Sequence, residues 1–223
     1  MLDAQVQAFL HDLVRYLWVG QDEDSIRFQQ DLKEPGTILF LHMLGVDTAG
    51  HAFRPGTERY TQSLRFVDDC VKKIYNMLEE FFEHDGKTSF IFTADHGMTS
   101  RGSHGDGDPE CTRTPFVVWG AGVRRQGEGD YNIINDGSMD RSAEEEYVNE
   151  KWGLNHLNRK DIRQADLAPL MASLLGLPFP KNNVGTLPLS YLGGSEEYRA
   201  RNLFANALQI LEQYHTIEKE KKS

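Results

Sequence analysis

Apolar side chains at Leu2, Val6, Phe9, Leu10, Leu13, Val14 and Leu17 recur at intervals of three and four. That spacing predicts a helix from Leu2 to Trp18. The next stretch, 20–36, is polar and closes on Pro35–Gly36, a turn signal. Thr37 to Val46 holds the run Ile38, Leu39, Phe40, Leu41. It reads as a strand apolar on both sides, as a parallel sheet requires, with His42 inside it as a hydrogen-bonded core histidine. From Thr57 to His84 the residues Leu64, Val67, Val71, Ile74, Leu78, Phe81 and Phe82 mark one face of a long amphipathic helix, stopped by Asp85–Gly86. Ser89 to Ala94 reads as a second strand. Strand, helix and strand make a βαβ unit, whose strands are expected to be parallel and joined right-handed. Pro115 to Trp119 is a third strand, and the glycine-bearing stretch 120–160 a surface excursion. A helix is expected from Asp166 to Leu175, ended by Gly176 and Pro178, and another from Glu196 to Tyr214. Glu218–Ser223 reads as a solvated charge run. The expected class is α/β: a mainly parallel sheet flanked by helices, incomplete at its amino-terminal side. The layout divides into a helix and linker at 1–36, a core at 37–192, and a helix with charged tail at 193–223.

Composition narrows the function. The chain has 223 residues, with 34 Asp+Glu against 24 Lys+Arg and a net charge of −10. No basic excess exists to release counterions from a phosphate backbone, which argues against a phosphate-tracking nucleic-acid binder. No window approaches the ~18 consecutive apolar residues of a membrane span, and residues 1–18 lack the basic start of a signal peptide. Two cysteines, Cys70 and Cys111, make neither a disulfide framework nor a thiolate metal site.

Ligands of an open α/β sheet sit beyond the carboxyl ends of its strands. There the sequence places Gly45-Val46-Asp47-Thr48-Ala49-Gly50-His51 and Thr93-Ala94-Asp95-His96-Gly97-Met98, followed by Gly102-Ser103-His104-Gly105-Asp106-Gly107. Asp47, His51, Asp95, His96 and His104 are expected to converge. Imidazole with carboxylate suits a divalent metal, zinc first and manganese second. Five ligands exceed one four-coordinate zinc and fit two partly filled ions, a clamp suited to phosphoryl transfer. Taken singly, each pair is weak, because Asp and Gly after a strand also serve as turns and caps. Asp106 could orient a ligand histidine or form a turn. Asp161 and Asp166 read as helix starts, Asp68 and Asp69 as the polar face of the long helix, and His11, His84, His156 and His215 as surface or packing residues.

At these loops the sequence resembles the alkaline phosphatase superfamily. Leu44-Gly45-Val46-Asp47-Thr48-Ala49-Gly50-His51, the Asp95-His96-Gly97 and His104 loops, Arg113-Thr114-Pro115, Lys160–Met171 and Pro180–Gly185 together resemble the GPI ethanolamine phosphate transferases, nearest the subfamily that modifies the first mannose. The likeness covers roughly residues 37–192.

The resemblance implies a two-zinc site in which Asp47, His51 and His104 hold one ion and Asp95 and His96 contribute to the other. It implies transfer of phosphoethanolamine from phosphatidylethanolamine to a mannose of the GPI precursor, through a Thr-bound intermediate, at the lumenal face of the endoplasmic reticulum membrane. The family's nucleophile segment and its membrane-spanning region have no counterpart here. Thr48 and Thr93 are not at the nucleophile position, and Ser100 and Ser103 are alternatives on reach alone. The chain is therefore expected to supply ligands and to turn over little or not at all by itself. Another metal-dependent phosphodiesterase or phosphomutase of the superfamily, and a non-catalytic metal-binding domain, remain open on the residues alone.

Overall fold

The computed structural model describes residue 8 and residues 10–125, 151, 153 and 161–222. Residues 2–7 and 9 of the expected amino-terminal helix and most of the 120–160 excursion lie outside the described residues. The chain forms two compact units, Met1–Val117 and Val118–Ser223.

In the first unit, helical residues 10–14 run into a π-helical turn, Arg15–Val19. Leu13 and Leu17 are buried there, in a core shared with Leu32, Ile74 and Leu78. Helix α1 (Glu23–Lys33) occupies a stretch expected to be polar loop. It carries too few apolar residues to show a period, yet Phe28 and Leu32 reach the core. Its start is a cap: the Asp22 carboxylate accepts the Ser25 N–H at 2.8 Å.

The strand expected over Thr37–Val46 is corrected. Residues 37–43 pair in no sheet among the described residues, and the end of the run is helix α2 (Gly45–Phe53). Along 37–43 the burial alternates. Leu39, Leu41 and Met43 pack against the core while Ile38 and Phe40 stay exposed, Phe40 at 82%. The backbone is thus extended, with one face covered. His42 falls on the open face, so it is an exposed residue stacked near the Phe40 ring rather than a core histidine.

Helix α3 (Glu58–Phe81) follows its sequence period: Val67, Cys70, Ile74 and Leu78 are buried. The Thr57 hydroxyl caps it by accepting the Tyr60 N–H at 3.3 Å. After it come β1 (Ser89–Thr93), the short α4 (Pro109–Thr112) and β2 (Phe116–Gly120). The α/β class holds, but the described sheet has two strands in the order β1–β2, and they are antiparallel. The expected parallel βαβ pairing is not among the described residues. Thr93 at the end of β1 donates its hydroxyl to the Pro115 carbonyl, just before β2, at 3.0 Å.

In the second unit a 3-10 turn, Gln164–Asp166, leads into α5 (Leu167–Leu175), stopped by Gly176 in the left-handed conformation at φ 67. Asp166 marks the helix start, as its sequence position suggests: its carboxylate accepts the Arg163 and Thr186 N–H groups at 3.0 and 2.8 Å. Helix α6 (Glu196–Lys222) runs well beyond Tyr214 and takes in the charged tail. Its buried face is amide-rich. Asn206 accepts the Leu187 N–H at 2.8 Å, and Gln209 donates to the Asn183 carbonyl at 2.8 Å.

Candidate metal centre

Asp47 and His51 stand four residues apart on α2, so both side chains leave one face of the helix. Asp47 lies in the first turn, where the helix dipole favours a carboxylate. The other histidines come from the long connection after β1. That connection is folded back on itself. The Gly97 N–H donates to the Cys111 carbonyl at 2.7 Å, the Thr99 N–H to the Ser103 carbonyl at 2.9 Å, and the Ser100 N–H to Glu110 at 2.9 Å. Buried Cys111 and α4, capped by Asp108, anchor this fold-back.

Four of the five expected residues meet. From Asp47 Oδ1 the Nε2 atoms of His104, His51 and His96 lie at 3.3, 3.5 and 3.9 Å. His51 Nε2 and His104 Nε2 are 3.1 Å apart, and the His96 and His104 rings stack at 3.7 Å. One ligand atom each from Asp47, His51 and His104 falls within a 4.8 Å set. Asp95 sits on the rim. Its side chain is 82% exposed, and its carboxylate accepts the His96 N–H at 3.1 Å and comes within 3.7 Å of His96 Nε2.

The proton inventory explains why a cation fits. His51 Nδ1 lies 2.8 Å from the Gly102 carbonyl, and His96 Nδ1 lies 2.8 Å from the Gly97 carbonyl. A carbonyl only accepts, so both rings carry their proton on Nδ1 and turn an Nε2 lone pair inward. Asp47 Oδ1 is buried and accepts no hydrogen bond. His51 Nε2 and His96 Nε2 therefore face Asp47 Oδ1 as acceptors, and His104 Nε2 is left to donate to His51 Nε2 at 3.1 Å. Such a group is costly unless something positive sits there. Two imidazole nitrogens and a carboxylate oxygen are donors that a zinc-like divalent ion accepts.

Tyr60 on α3 is a neighbour that composition gave no reason to select. Burial first, and then the Asp47 charge, push its phenol above the usual tyrosine range. The two threonines of the loops are engaged: Thr48 donates to the Leu44 carbonyl at 3.4 Å and Thr93 to the Pro115 carbonyl. Ser103 Oγ bonds Thr99 Oγ1 at 3.1 Å. Asp106 accepts the Asp108 N–H, which holds its carboxyl below the usual range, in a turn role.

Residues 21–177 match the Sulfatase family, which belongs to the alkaline phosphatase superfamily and whose enzymes depend on metal. The chain is 45% identical to mouse GPI ethanolamine phosphate transferase 1 over 99% of its own length and 24% of that protein's. The human protein of that name is 44% identical over 86% of the chain and 19% of its own length. The Saccharomyces cerevisiae protein of that name is 42% identical over 82% and 19%. The chain thus spans about a quarter or less of these curated relatives. No solved structure matches.

Proposed function

Because the chain belongs to the Sulfatase family, we propose that it is the metal-ligating part of a GPI ethanolamine phosphate transferase. The reaction is transfer of phosphoethanolamine from phosphatidylethanolamine to a mannose of the GPI precursor, on the lumenal side of the endoplasmic reticulum. Among the described residues no helix is long and apolar enough to cross a membrane. The substrate lipids and the missing parts of a longer protein are the partners this reading requires.

The observation that carries it is the buried, donor-less Asp47 Oδ1 ringed by inward-facing imidazoles. Asp47, His51 and His104 would hold one zinc, and Asp95 with His96 would contribute to a second. Divalent ions bound there would neutralise charge developing on the transferred phosphoryl group and lower the pKa of an acceptor hydroxyl. The chain's own residues fix the geometry. The Gly102 and Gly97 carbonyls hold the His51 and His96 tautomers, and α2 sets Asp47 and His51 one turn apart. Thr48 and Thr93 hydroxyls already donate to backbone carbonyls, so neither is offered as nucleophile. That step belongs to residues the chain does not supply, and the chain alone is expected to transfer little or nothing.

A chimera tests this directly. The matching segment of the Saccharomyces cerevisiae relative is replaced by this chain, and transfer of labelled ethanolamine phosphate to a GPI precursor is measured. Transfer that is lost on His51→Ala and on His104→Ala supports the reading. Transfer that survives both substitutions contradicts it.

A further inference from the structure

Three residues beyond His51, α2 ends at Arg54, whose backbone sits at φ 68 and ψ 143. Glycine enters that region freely; a side chain there is strained. Pro55, which follows, disfavours a return to helical angles but does not require positive φ. The strain is held from both sides. The Arg54 N–H donates to the Gly50 carbonyl at 2.9 Å, and its carbonyl accepts the Thr57 hydroxyl at 3.0 Å. The chain thus keeps a long cation where the backbone alone would favour glycine.

The side chain starts beside Gly102, behind the His51 ring. A Cβ built on Gly102 would stand 3.4 Å from Arg54 Cγ, and the Gly102 carbonyl is the partner of His51 Nδ1 at 2.8 Å. Beyond Cγ, one methylene and the guanidinium remain. Arg54 is exposed, and among the described residues its guanidinium has neither an ion-pair nor a hydrogen-bond partner. Of the carboxylates nearest in sequence, Glu58 is engaged by Gln62 and Arg65, and Asp47 faces the imidazoles of the metal centre.

We propose that Arg54 is a substrate-binding residue that grips a phosphoryl oxyanion at the rim of the metal centre. The guanidinium fork suits two oxygens of one phosphate, and its charge persists at any working pH. Helix α2 carries no lysine or arginine, so Arg54 at its end is the cation it offers to complement a phosphodiester. The proposal rests on the metal-centre reading above and deepens it by naming what holds the anion. The oxyanion could arrive as free phosphate or within a lipid headgroup, and two probes separate these sources.

Zinc content is measured first on the parent chain and on Arg54→Gln, Arg54→Lys and Arg54→Gly. Inorganic phosphate and glycerophosphoethanolamine are then titrated calorimetrically into each zinc-loaded protein. The expected result is equal zinc in all four, with affinity for at least one probe reduced tenfold or more in Arg54→Gln and Arg54→Gly. Arg54→Lys should fall between, since it keeps the charge without the fork. Arg54→Gly should melt no lower than the parent, because it relieves the positive φ. A loss confined to glycerophosphoethanolamine assigns Arg54 to the diester; a loss for both assigns it to any phosphate. A parent that takes up zinc while Arg54→Gln binds both probes as tightly overturns the Arg54 assignment alone. A parent that takes up no zinc strikes the metal centre itself.

Discussion

Two polar clusters sit in this chain and obey opposite rules. Around the loop at 181–187, Asn183, Asn206, Gln209 and Asp166 match donor to acceptor. Asn206 takes the Leu187 N–H and gives to the Gly185 carbonyl, Asn183 takes the Gly185 N–H, and Asp166 takes that of Thr186. Around Asp47 the imidazoles of His51, His96 and His104 crowd one carboxylate, and Asp47 Oδ1 has no hydrogen-bond partner. A satisfied polar network specifies a fold, whereas an unsatisfied one facing a shared point is shaped for something absent from the polypeptide. Polar content alone does not distinguish them, since both are rich in groups that water would otherwise solvate.

Substitutions can separate the two clusters, and the most damaging are glycines. A Cβ at Gly185 would stand 1.9 Å from the Ala165 carbonyl, and one at Gly97 would stand 2.0 Å from that of Glu110. Backbone cannot yield cheaply, so Gly185→Ala and Gly97→Ala should each cost about 3 kcal/mol or more. Only Gly97→Ala should also weaken zinc uptake, because Gly97 adjoins His96; paired denaturant melts and zinc titrations read both effects. Asn206→Ala comes next. It strands the buried Leu187 N–H, while the Gly185 carbonyl keeps the Asn183 amide as donor; the cost should be about 1–3 kcal/mol, and zinc affinity should not move.

Asp47→Ala in chelator should go the other way. Removing an oxygen that accepts nothing should leave the melting temperature unchanged or raise it, while zinc uptake is lost. A drop comparable to that of Asn206→Ala would show that the two clusters follow the same rule. The smallest effect belongs to Asp22. The Ser25 N–H holds its carboxyl below the usual range. The cap therefore contributes stability above that range and loses it as pH falls through the carboxyl's folded value. Asp22→Ala should melt slightly lower than the parent at neutral pH and converge with it in acid.

The residues of the candidate centre were legible in the sequence as residue types; the elements that carry them were less so. Asp47 and His51 read as a loop after a strand, yet they share a helix face, which their four-residue spacing permits. The extended segment at 37–43 has the apolar run of a doubly buried strand, but only Leu39, Leu41 and Met43 are covered. Helix α3 was plain because its period continues over many turns. Helix α1 was not, since a cap and two core contacts leave no period to see. Helix α6 was legible as far as Tyr214, and then its charges hid the remaining turns. Arg54 carries no sequence signal beyond the proline after it; its meaning comes from φ and from the neighbouring Gly102.

Metal content of the purified chain by atomic spectrometry, before and after His51→Ala and His104→Ala, bears most directly on the centre. Stoichiometric zinc in the parent, lost in either variant while both remain folded, is the result predicted. A parent that binds none, or variants that bind as much as the parent, would contradict the convergence of Asp47, His51 and His104 as a cation site.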